Sequence, residues 1–179
     1  MNNEYKDEHK IIPYRYAGII KDDVNNGKGI GLTLFTQYCT HRCRKCHNPQ
    51  TWSMIGGELF TDDILNSIIG YFVTHKYATR LTLSGGDPLD NVYMTKWICE
   101  TVKKTCPWIN IWLYSGYTYE EILQDNHKLE ILKYLDVLID GKYMDELRDI
   151  TLEFRGSSNQ RIINVQRSLK ENKVILLDL

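Results

Sequence analysis

The stretch YCTHRCRKCHNPQTW brings Cys39, Cys43 and Cys46 together with the spacing C-x3-C-x2-C. Thiolates this close in sequence can turn toward one metal ion or cluster without a long detour of the backbone. A cubane iron–sulfur cluster normally takes four cysteines, so three of them would leave one iron open to an outside ligand. The spacing therefore favours a cluster that takes part in chemistry or holds a small molecule.

A structural zinc ion is the alternative interpretation of the same loop. Zinc prefers four protein ligands, which commonly arrive as two separated pairs, and no second C-x2-C pair occurs in the chain. His41 or His47 could supply a fourth ligand, so zinc stays open as the less favoured alternative.

The remaining cysteines suggest a different role. The chain contains five cysteines, an odd number, and structural disulfides are rare in reducing compartments. Cys99 and Cys106 stand seven positions apart in CETVKKTC, which places them on one face if that segment is helical. We expect both to be buried in the core, because free cysteine often behaves as a small hydrophobe.

Composition limits the classes of partner. A chain of 179 residues with 42% hydrophobic and 25% charged residues is ordinary for a globular protein, and we expect a single domain over residues 1–179. A net charge of -1 gives no sign of a surface that binds nucleic acid or anionic lipid. No segment approaches the roughly 20 apolar residues of a membrane span, and MNNEYKDEHK lacks the apolar core of a secretory signal. We therefore expect a cytoplasmic protein.

Short β-like segments alternate with longer helical patterns, which is typical of an α/β domain with a largely parallel sheet. The predicted strands are 14–20, 31–36, 79–83, 109–114, 136–140, 161–165 and 174–179. The predicted helices are 61–76, 91–104, 118–135, either whole or as a broken pair, and a short 143–149. Eight βα units usually need about 200 residues or more, so we expect a partial (incomplete) βα barrel.

Polar or glycine-rich stretches follow four of the predicted strands. They are the cysteine loop after residue 36, SGGDP after 83, SGY after 114, and DGK at 140–142. Ligands gather at the carboxyl ends of parallel strands, so we expect all four stretches on the same side of the sheet.

The cysteine loop resembles that of the radical S-adenosylmethionine (SAM) superfamily. Its C-x3-C-x2-C motif binds a [4Fe-4S] cluster whose fourth iron is chelated by the amino and carboxylate groups of SAM. SGGDP adds to the likeness, since members of the superfamily carry a similar Gly-Gly-Asp/Glu stretch after the next strand. Without the cysteines, a plain turn would be the better interpretation of SGGDP.

Further stretches resemble one family, the activating enzymes of anaerobic, class III ribonucleotide reductase. They are NNGKGIGLTLFTQYC, CHNPQTW, LSGGDPL, IWLYSGY, VLIDGKY and LEFRGSSNQRII, which follow in order from about residue 14 to 165. The chain departs from the family pattern at three positions. It has Gly31 where an arginine is common, and Tyr38 and Lys45 where glycines are common.

The resemblance implies a fold, an activity and partners. The fold would be a partial barrel of the radical SAM type. A reduced [4Fe-4S] cluster would pass one electron into SAM, and the resulting 5'-deoxyadenosyl radical would remove a Cα hydrogen from one glycine of the reductase large subunit. Flavodoxin or ferredoxin would supply the electron. Neither nucleic acid nor a membrane is expected as a partner.

The resemblance also implies roles for individual residues. Cys39, Cys43 and Cys46 would be the cluster ligands, and so the catalytic and metal-binding residues. SAM would be bound by Lys45, Cys46 and His47 through backbone groups, by Gly85, Gly86 and Asp87 at its methionine end, by Ser115 at the ribose, and by Lys142 at its carboxylate, with Asp140 orienting it or holding a cation. A solvated turn explains Asp140 and Lys142 equally well.

Residues beside these motifs have two interpretations each. Tyr38 and Trp52 could shield the cluster, although aromatic packing needs no function to explain it. Arg155, Asn159 and Gln160 in RGSSNQR form a donor-rich loop that could hold the backbone of a partner or cap its own neighbours.

Three other functions stay open. The chain could activate another glycyl-radical enzyme of the pyruvate formate-lyase type, or be a small-molecule radical SAM enzyme such as a deazapurine synthase. Outside the enzyme class, it could be a structural module that binds zinc or a cluster.

Overall fold

A seven-stranded sheet runs through residues 13–178, which are the residues that the computed structural model describes. The strands are β1 (Arg15–Asp23), β2 (Gly31–Thr36), β3 (Glu58–Leu59), β4 (Arg80–Gly85), β5 (Asn110–Tyr114), β6 (Val137–Asp140) and β7 (Arg161–Asn164). The helices are α1 (Asp62–Thr74), α2 (Val92–Thr105), α3 (Tyr119–Leu123), α4 (Asn126–Leu132) and α5 (Val165–Glu171).

The sheet is parallel in the middle and antiparallel at both sides. Its order is β3-β1-β2-β4-β5-β6-β7. β2, β4, β5 and β6 pair in parallel, whereas β1 pairs antiparallel with β2 and β3, and β7 pairs antiparallel with β6. The α/β class is therefore confirmed, and the four parallel strands point their carboxyl ends the same way.

The central strands are almost fully buried because side chains cover both faces of the sheet. On one face Leu113 and Leu138 join the main core with residues of α1 and α2. On the other face Trp112 and Ile139 belong to a smaller cluster, against which Phe154 packs. This alternation follows the two-residue period of a strand.

Several predicted elements are confirmed with small shifts in their ends. The prediction 61–76 corresponds to α1 and 91–104 to α2. The segment 118–135 is a broken pair, because the Asp125 side chain accepts hydrogen bonds from the amides of His127 and Lys128 and caps a new helix there. Cys99 and Cys106 are buried in the main core, as expected.

Near the end of the chain one predicted helix is shorter than expected, one predicted strand is wrong, and one helix was not predicted. Segment 143–149 forms only a single 3-10 turn, Asp145–Leu147. Within the described residues, 174–178 form only the isolated bridge between Ile163 and Leu176 instead of a strand. Helix α5 was not predicted, and it begins at Val165, the last residue of the predicted strand 161–165.

No helix in residues 13–178 has the length and apolar character needed to cross a membrane. The expectation for MNNEYKDEHK concerns residues outside the described part of the chain.

Candidate functional site at the carboxyl ends of the parallel strands

A cavity of about 150 Å³ opens where the parallel strands end. The three cysteines of the loop after β2 line it together with the residues that follow β4, β5 and β6. These residues include Gly85, Gly86, Asp87, Ser115 and Gly141. The structure thus brings the four stretches expected on one side of the sheet around one space.

The cysteine loop has an unusual backbone. Tyr38, Arg42 and Lys45 have φ values of 81°, 47° and 54°, in the left-handed region that favours glycine. The Tyr38 amide donates to the Thr51 carbonyl at 2.7 Å, and the Tyr38 carbonyl accepts from the Asp87 amide at 2.8 Å. Tyr38 and Lys45 occupy the two positions where glycines were expected, and both adopt the left-handed backbone that glycine favours.

Burial raises the pKa values of two of the three thiols in the loop. It raises the pKa of Cys39 to about 11, against hydrogen bonds from the His41 and Arg42 amides that lower it. Burial also raises the pKa of Cys43, with a further contribution from the nearby Cys46. Metal ligands are thiolates, so a metal or cluster held by these thiols would displace their protons.

Cys39, Cys43 and Cys46 are the donor set that the cavity offers to a metal or a cluster. Among residues 13–178, no three His, Cys, Asp or Glu side chains converge closely enough to hold a single metal ion. The thiols instead surround a shared cavity, and the Asn48 amide donates to the Cys46 sulfur at 3.3 Å, a contact of the kind that tunes iron–sulfur clusters. His41 faces Asp87, with Nε2 2.8 Å from Oδ2, and His47 is exposed beside Tyr143.

The glycine pair at the end of β4 is required by backbone packing. Gly85 has φ 98°, and a Cβ there would lie 2.7 Å from the Cα of Phe35 in β2. A Cβ on Gly86 would overlap the carbonyl oxygen of Tyr38. The absence of side chains therefore lets the end of β4 lie directly against the start of the cysteine loop.

The Asp87 carboxylate is almost fully buried and has four partners from the protein. It accepts from the Leu89 amide at 2.9 Å, the Gly116 amide at 2.8 Å and the Ser115 hydroxyl at 3.0 Å, and His41 lies against it. The Ser115 oxygen in turn accepts from the Tyr117 amide at 3.1 Å. Both side chains expected to touch SAM thus hold neighbouring loops together.

Asp140 and Lys142 do not line the cavity. The Asp140 carboxylate accepts from the Tyr119 amide at 2.7 Å and from Arg161 Nε at 3.0 Å, which ties β6 to α3 and β7. The side chain of Lys142 is exposed, and its carbonyl accepts from the Asn159 amide group at 2.8 Å.

The RGSSNQR loop binds mostly to itself. Arg155 donates to the Gln160 carbonyl at 2.9 Å, and Gln160 bridges the Gly156 amide and the Gly141 carbonyl at 2.9 and 3.0 Å. Gln160 also lines the cavity, so this loop forms part of its wall. These contacts match the interpretation that the loop caps its own neighbours.

Two buried nitrogens at the cavity have no hydrogen-bond partner among the described residues, His41 Nε2 and the indole nitrogen of Trp52. Trp52 lines the cavity, and its indole nitrogen is buried without a hydrogen-bond partner among the described residues. Buried polar groups of this kind are rare and call for an acceptor such as a bound group or water.

Sequence reasoning missed a second set of contacts, made by Asp90. Its carboxylate accepts from the Thr40 amide at 2.7 Å and from the Tyr117 hydroxyl at 2.7 Å. The sequence shows only that Asp87 and Asp90 lie three positions apart in the turn after β4, which does not identify their partners.

Comparison with known proteins identifies the family. The model of a 4Fe-4S single cluster domain matches residues 25–163. A relative from Vibrio cholerae, named anaerobic ribonucleoside-triphosphate reductase-activating protein, is 41% identical over 143 residues, which are 78% of this chain and 91% of the relative. Proteins with the same name from Haemophilus influenzae and from Enterobacteria phage T4 are 43% and 40% identical, each over 82% of this chain and over 96% and 92% of their own lengths. The chain therefore belongs to the 4Fe-4S single cluster domain family and, within it, to the anaerobic ribonucleoside-triphosphate reductase-activating proteins.

Proposed function

We propose that this protein is a radical SAM activating enzyme that installs a glycyl radical on anaerobic ribonucleotide reductase. The observation that carries the proposal is the placement of Cys39, Cys43 and Cys46 on one cavity with the Gly85–Gly86 turn. The names of the relatives support the reductase as the target. In the same proposal the sheet is an incomplete βα barrel, the domain is single, and the protein works in the cytoplasm with flavodoxin or ferredoxin.

The three cysteines support a cluster, and one unpartnered donor at the cavity supports a further bound group, which we propose to be SAM. The three cysteines would hold a [4Fe-4S] cluster with one iron left for SAM, and the unpartnered indole N–H of Trp52 offers a donor to a bound group. When bound, the pair would supply reductive cleavage of SAM, and the radical so formed would take a hydrogen atom from a glycine of the reductase.

The chain's own residues would bind and orient the cofactor. Gly85 and Gly86 expose backbone at the cavity and are assigned to the methionine end of SAM. Lys45 and His47 are exposed and would contact SAM through backbone groups. Ser115 remains the proposed neighbour of the ribose.

The remaining residues that were expected to bind SAM have less room to contact it. Asp87 lines the cavity, but its carboxylate oxygens already accept from protein groups, so a contact with SAM would have to share them. Lys142 would reach SAM from outside the cavity. Asp140 is held by Arg161 and does not line the cavity, so it would orient Lys142 or hold a cation outside the cavity.

Anaerobic reconstitution with iron and sulfide tests the proposal. We expect a visible sulfur-to-iron absorbance, reductive release of 5'-deoxyadenosine from SAM, and a glycyl doublet in the electron paramagnetic resonance (EPR) spectrum of the reductase. Cys43→Ala should abolish all three. Cys99→Ala is the matched control, since burial raises the pKa of Cys99 to about 12 and this thiol lies in the main core.

The outcomes separate the alternatives. SAM cleavage without a glycyl doublet on this reductase would point to another glycyl-radical enzyme or to a small-molecule substrate. A protein that binds zinc and gives no sulfur-to-iron absorbance would be a structural module.

A further inference from the structure

We infer that Asp87 and Asp90 are positioning residues that fix the cysteine loop through His41 and Thr40. This inference rests on the proposed function only in taking Cys39 and Cys43 as cluster ligands. Thr40 and His41 lie between these two cysteines, so holding both residues fixes the first half of the loop.

Asp90 holds Thr40. Its carboxylate accepts from the Thr40 amide at 2.7 Å and from the Thr40 hydroxyl at 3.0 Å. The Tyr117 hydroxyl donates to the other oxygen of Asp90 at 2.7 Å and keeps the carboxylate in this orientation. Hydrogen bonds to an ionised carboxylate are the stronger ones, so Asp90 is a firm anchor for the loop.

Asp87 holds His41. His41 Nε2 lies 2.8 Å from Asp87 Oδ2, a close contact between buried groups that lacks hydrogen-bond geometry, and the side chains are 6% and 1% exposed. The imidazole is confined on its other sides, because a Cβ on Gly116 would overlap it and the Tyr117 ring packs edge-on at 4.5 Å between ring centroids. The Asp87 carboxylate is itself fixed by the Ser115 hydroxyl and the Gly116 amide.

The two anchors connect the cluster loop to both neighbouring motifs. Asp87 and Asp90 follow β4, and the residues that orient them, Ser115, Gly116 and Tyr117, follow β5. The second half of the loop is held differently, by ion pairs from the exposed Arg44 and Lys45. The buried contact of Asp87 and the half-buried carboxylate of Asp90 therefore set where Cys39 and Cys43 lie relative to the glycine pair.

A direct contact of Asp87 with SAM is the competing explanation, and the two differ in what happens before SAM is added. If Asp87 positions the loop, Asp87→Asn changes the EPR g values and the midpoint potential of the reduced cluster in SAM-free protein. If Asp87 binds SAM directly, those properties match the wild type and only SAM affinity falls, by about tenfold or more for a lost charge-assisted contact.

The experiment uses reconstituted protein without SAM or reductase, followed by a SAM titration. Asp87→Asn and His41→Gln should each alter the SAM-free spectrum and potential, and the double variant should change them no more than the larger single effect. Asp90→Asn should act in the same direction, and Tyr117→Phe, which keeps the ring against His41, should act more weakly. Asp125→Asn is the matched control, because this aspartate also caps a turn but lies outside the cavity.

The inference is overturned if the SAM-free spectra and potentials of the Asp87→Asn and Asp90→Asn variants equal those of the wild type, or if the effects of Asp87→Asn and His41→Gln simply add. Circular dichroism identifies a variant that fails to fold, and in that case Tyr117→Phe and Asp90→Asn carry the test. None of these measurements needs SAM cleavage, so a wild type that cleaves no SAM would refute the proposed function and leave this result intact.

Discussion

Left-handed backbone at Tyr38, Arg42 and Lys45 is a property of single residues with a measurable consequence. This conformation costs a residue with a Cβ roughly 1–2 kcal/mol, a cost that glycine does not have. Residues with side chains adopt this conformation here because neighbouring groups hold the backbone. For example, both the amide and the carbonyl of Tyr38 are hydrogen-bonded to other loops.

Replacing Lys45 by glycine should therefore relieve strain. We expect Lys45→Gly to raise the midpoint of anaerobic urea unfolding or leave it unchanged, even though the exposed ion pair with Asp145 is lost. Arg44→Gly is the matched control. Arg44 is also exposed and ion-paired, with Glu146, but it has no positive φ, so the added chain entropy should lower the midpoint. A lower midpoint for Lys45→Gly than for Arg44→Gly would contradict this account.

The unpartnered indole N–H of Trp52 gives a second prediction for a single residue. If a bound cluster or SAM accepts this hydrogen bond, Trp52→Phe should reduce the increase in melting temperature that reconstitution and SAM produce. Trp97→Phe, a substitution in the main core beside Phe60, should lower the melting temperature equally with and without cofactors. An undiminished increase in Trp52→Phe would show that the N–H has another partner.

At the scale of elements, Arg80 organises the segment between β1 and β2. The buried guanidinium bonds to the Asp23 carboxylate at 2.7 Å and to the Gly29 carbonyl at 3.0 Å. Gly31, the register partner of Arg80 on β2, has no space for a Cβ beside the Arg80 carbonyl. The chain lacks the arginine expected at position 31. The guanidinium that bonds to Asp23 and Gly29 belongs instead to Arg80 on β4.

This arrangement predicts a pH dependence. Burial alone would raise the pKa of Asp23, but hydrogen bonds from Thr33, Asn25 and Asn26 and the charge of Arg80 lower it below its usual range. The resulting stability is complete above the unfolded pKa of about 3.9 and is lost as the pH falls through the lower folded value.

Thr33→Val removes the 2.6 Å hydrogen bond to Asp23 without changing the side-chain shape. We expect it to lower the free energy of unfolding by about 1–3 kcal/mol at neutral pH, and less as the pH falls below about 4. Thr95→Val is the control, because the buried Thr95 hydroxyl donates to the Pro88 carbonyl, which does not titrate. Urea unfolding over a pH series measures both, and an equal pH dependence would refute the role of Asp23.

The strands and helices that could be predicted are those whose own sequence shows a strand-like or helical pattern of apolar residues. The strands that became β2, β4, β5 and β6 are short segments rich in apolar residues and threonine, and α1 and α2 have apolar residues at helical spacing. Helix α5 was missed because VQRSLKE begins directly after β7, and its cap, Asn164, is also the last residue of that strand. The antiparallel direction of β7 depends on the path of residues 141–160, which no local pattern specifies.

The residues of the candidate site could also be predicted only in part. Spacing identified Cys39, Cys43 and Cys46, and the strand ends placed Gly85 and Gly86 beside them. Hydrogen bonds between side chains distant in sequence, such as those of Asp90 with Thr40 and Tyr117, depend on tertiary structure. The ion pair of Asp140 with Arg161 is hidden from the sequence for the same reason.

At the scale of the whole molecule, the segment after α5 closes the sheet on the side of β7. The Leu177 amide donates to the Ile162 carbonyl at 2.8 Å, and the Leu177 side chain packs against the cluster of Trp112 and Ile139. The predicted edge strand is wrong, yet this segment covers the face of the sheet that α1 and α2 leave open.

Two neighbouring leucines test this role. Leu177→Ala should lower the free energy of unfolding by about 1–3 kcal/mol, because it removes apolar contacts from the smaller core. Leu176→Ala, at a side chain that is 57% exposed, should stay within about 0.5 kcal/mol of the wild type. Urea unfolding distinguishes them, and equal effects would mean that the segment does not cover the core.

The anchoring of Thr40 and His41 bears on repair after exposure to air. The hydrogen bonds of Thr40 and the close contact of His41 with Asp87 are all made with protein groups, so their hold on the loop does not depend on iron. A zinc finger, by contrast, unfolds when its metal leaves. If oxygen destroyed the cluster, this half of the loop would keep its place, and the protein could be reloaded with iron and sulfide without first having to refold.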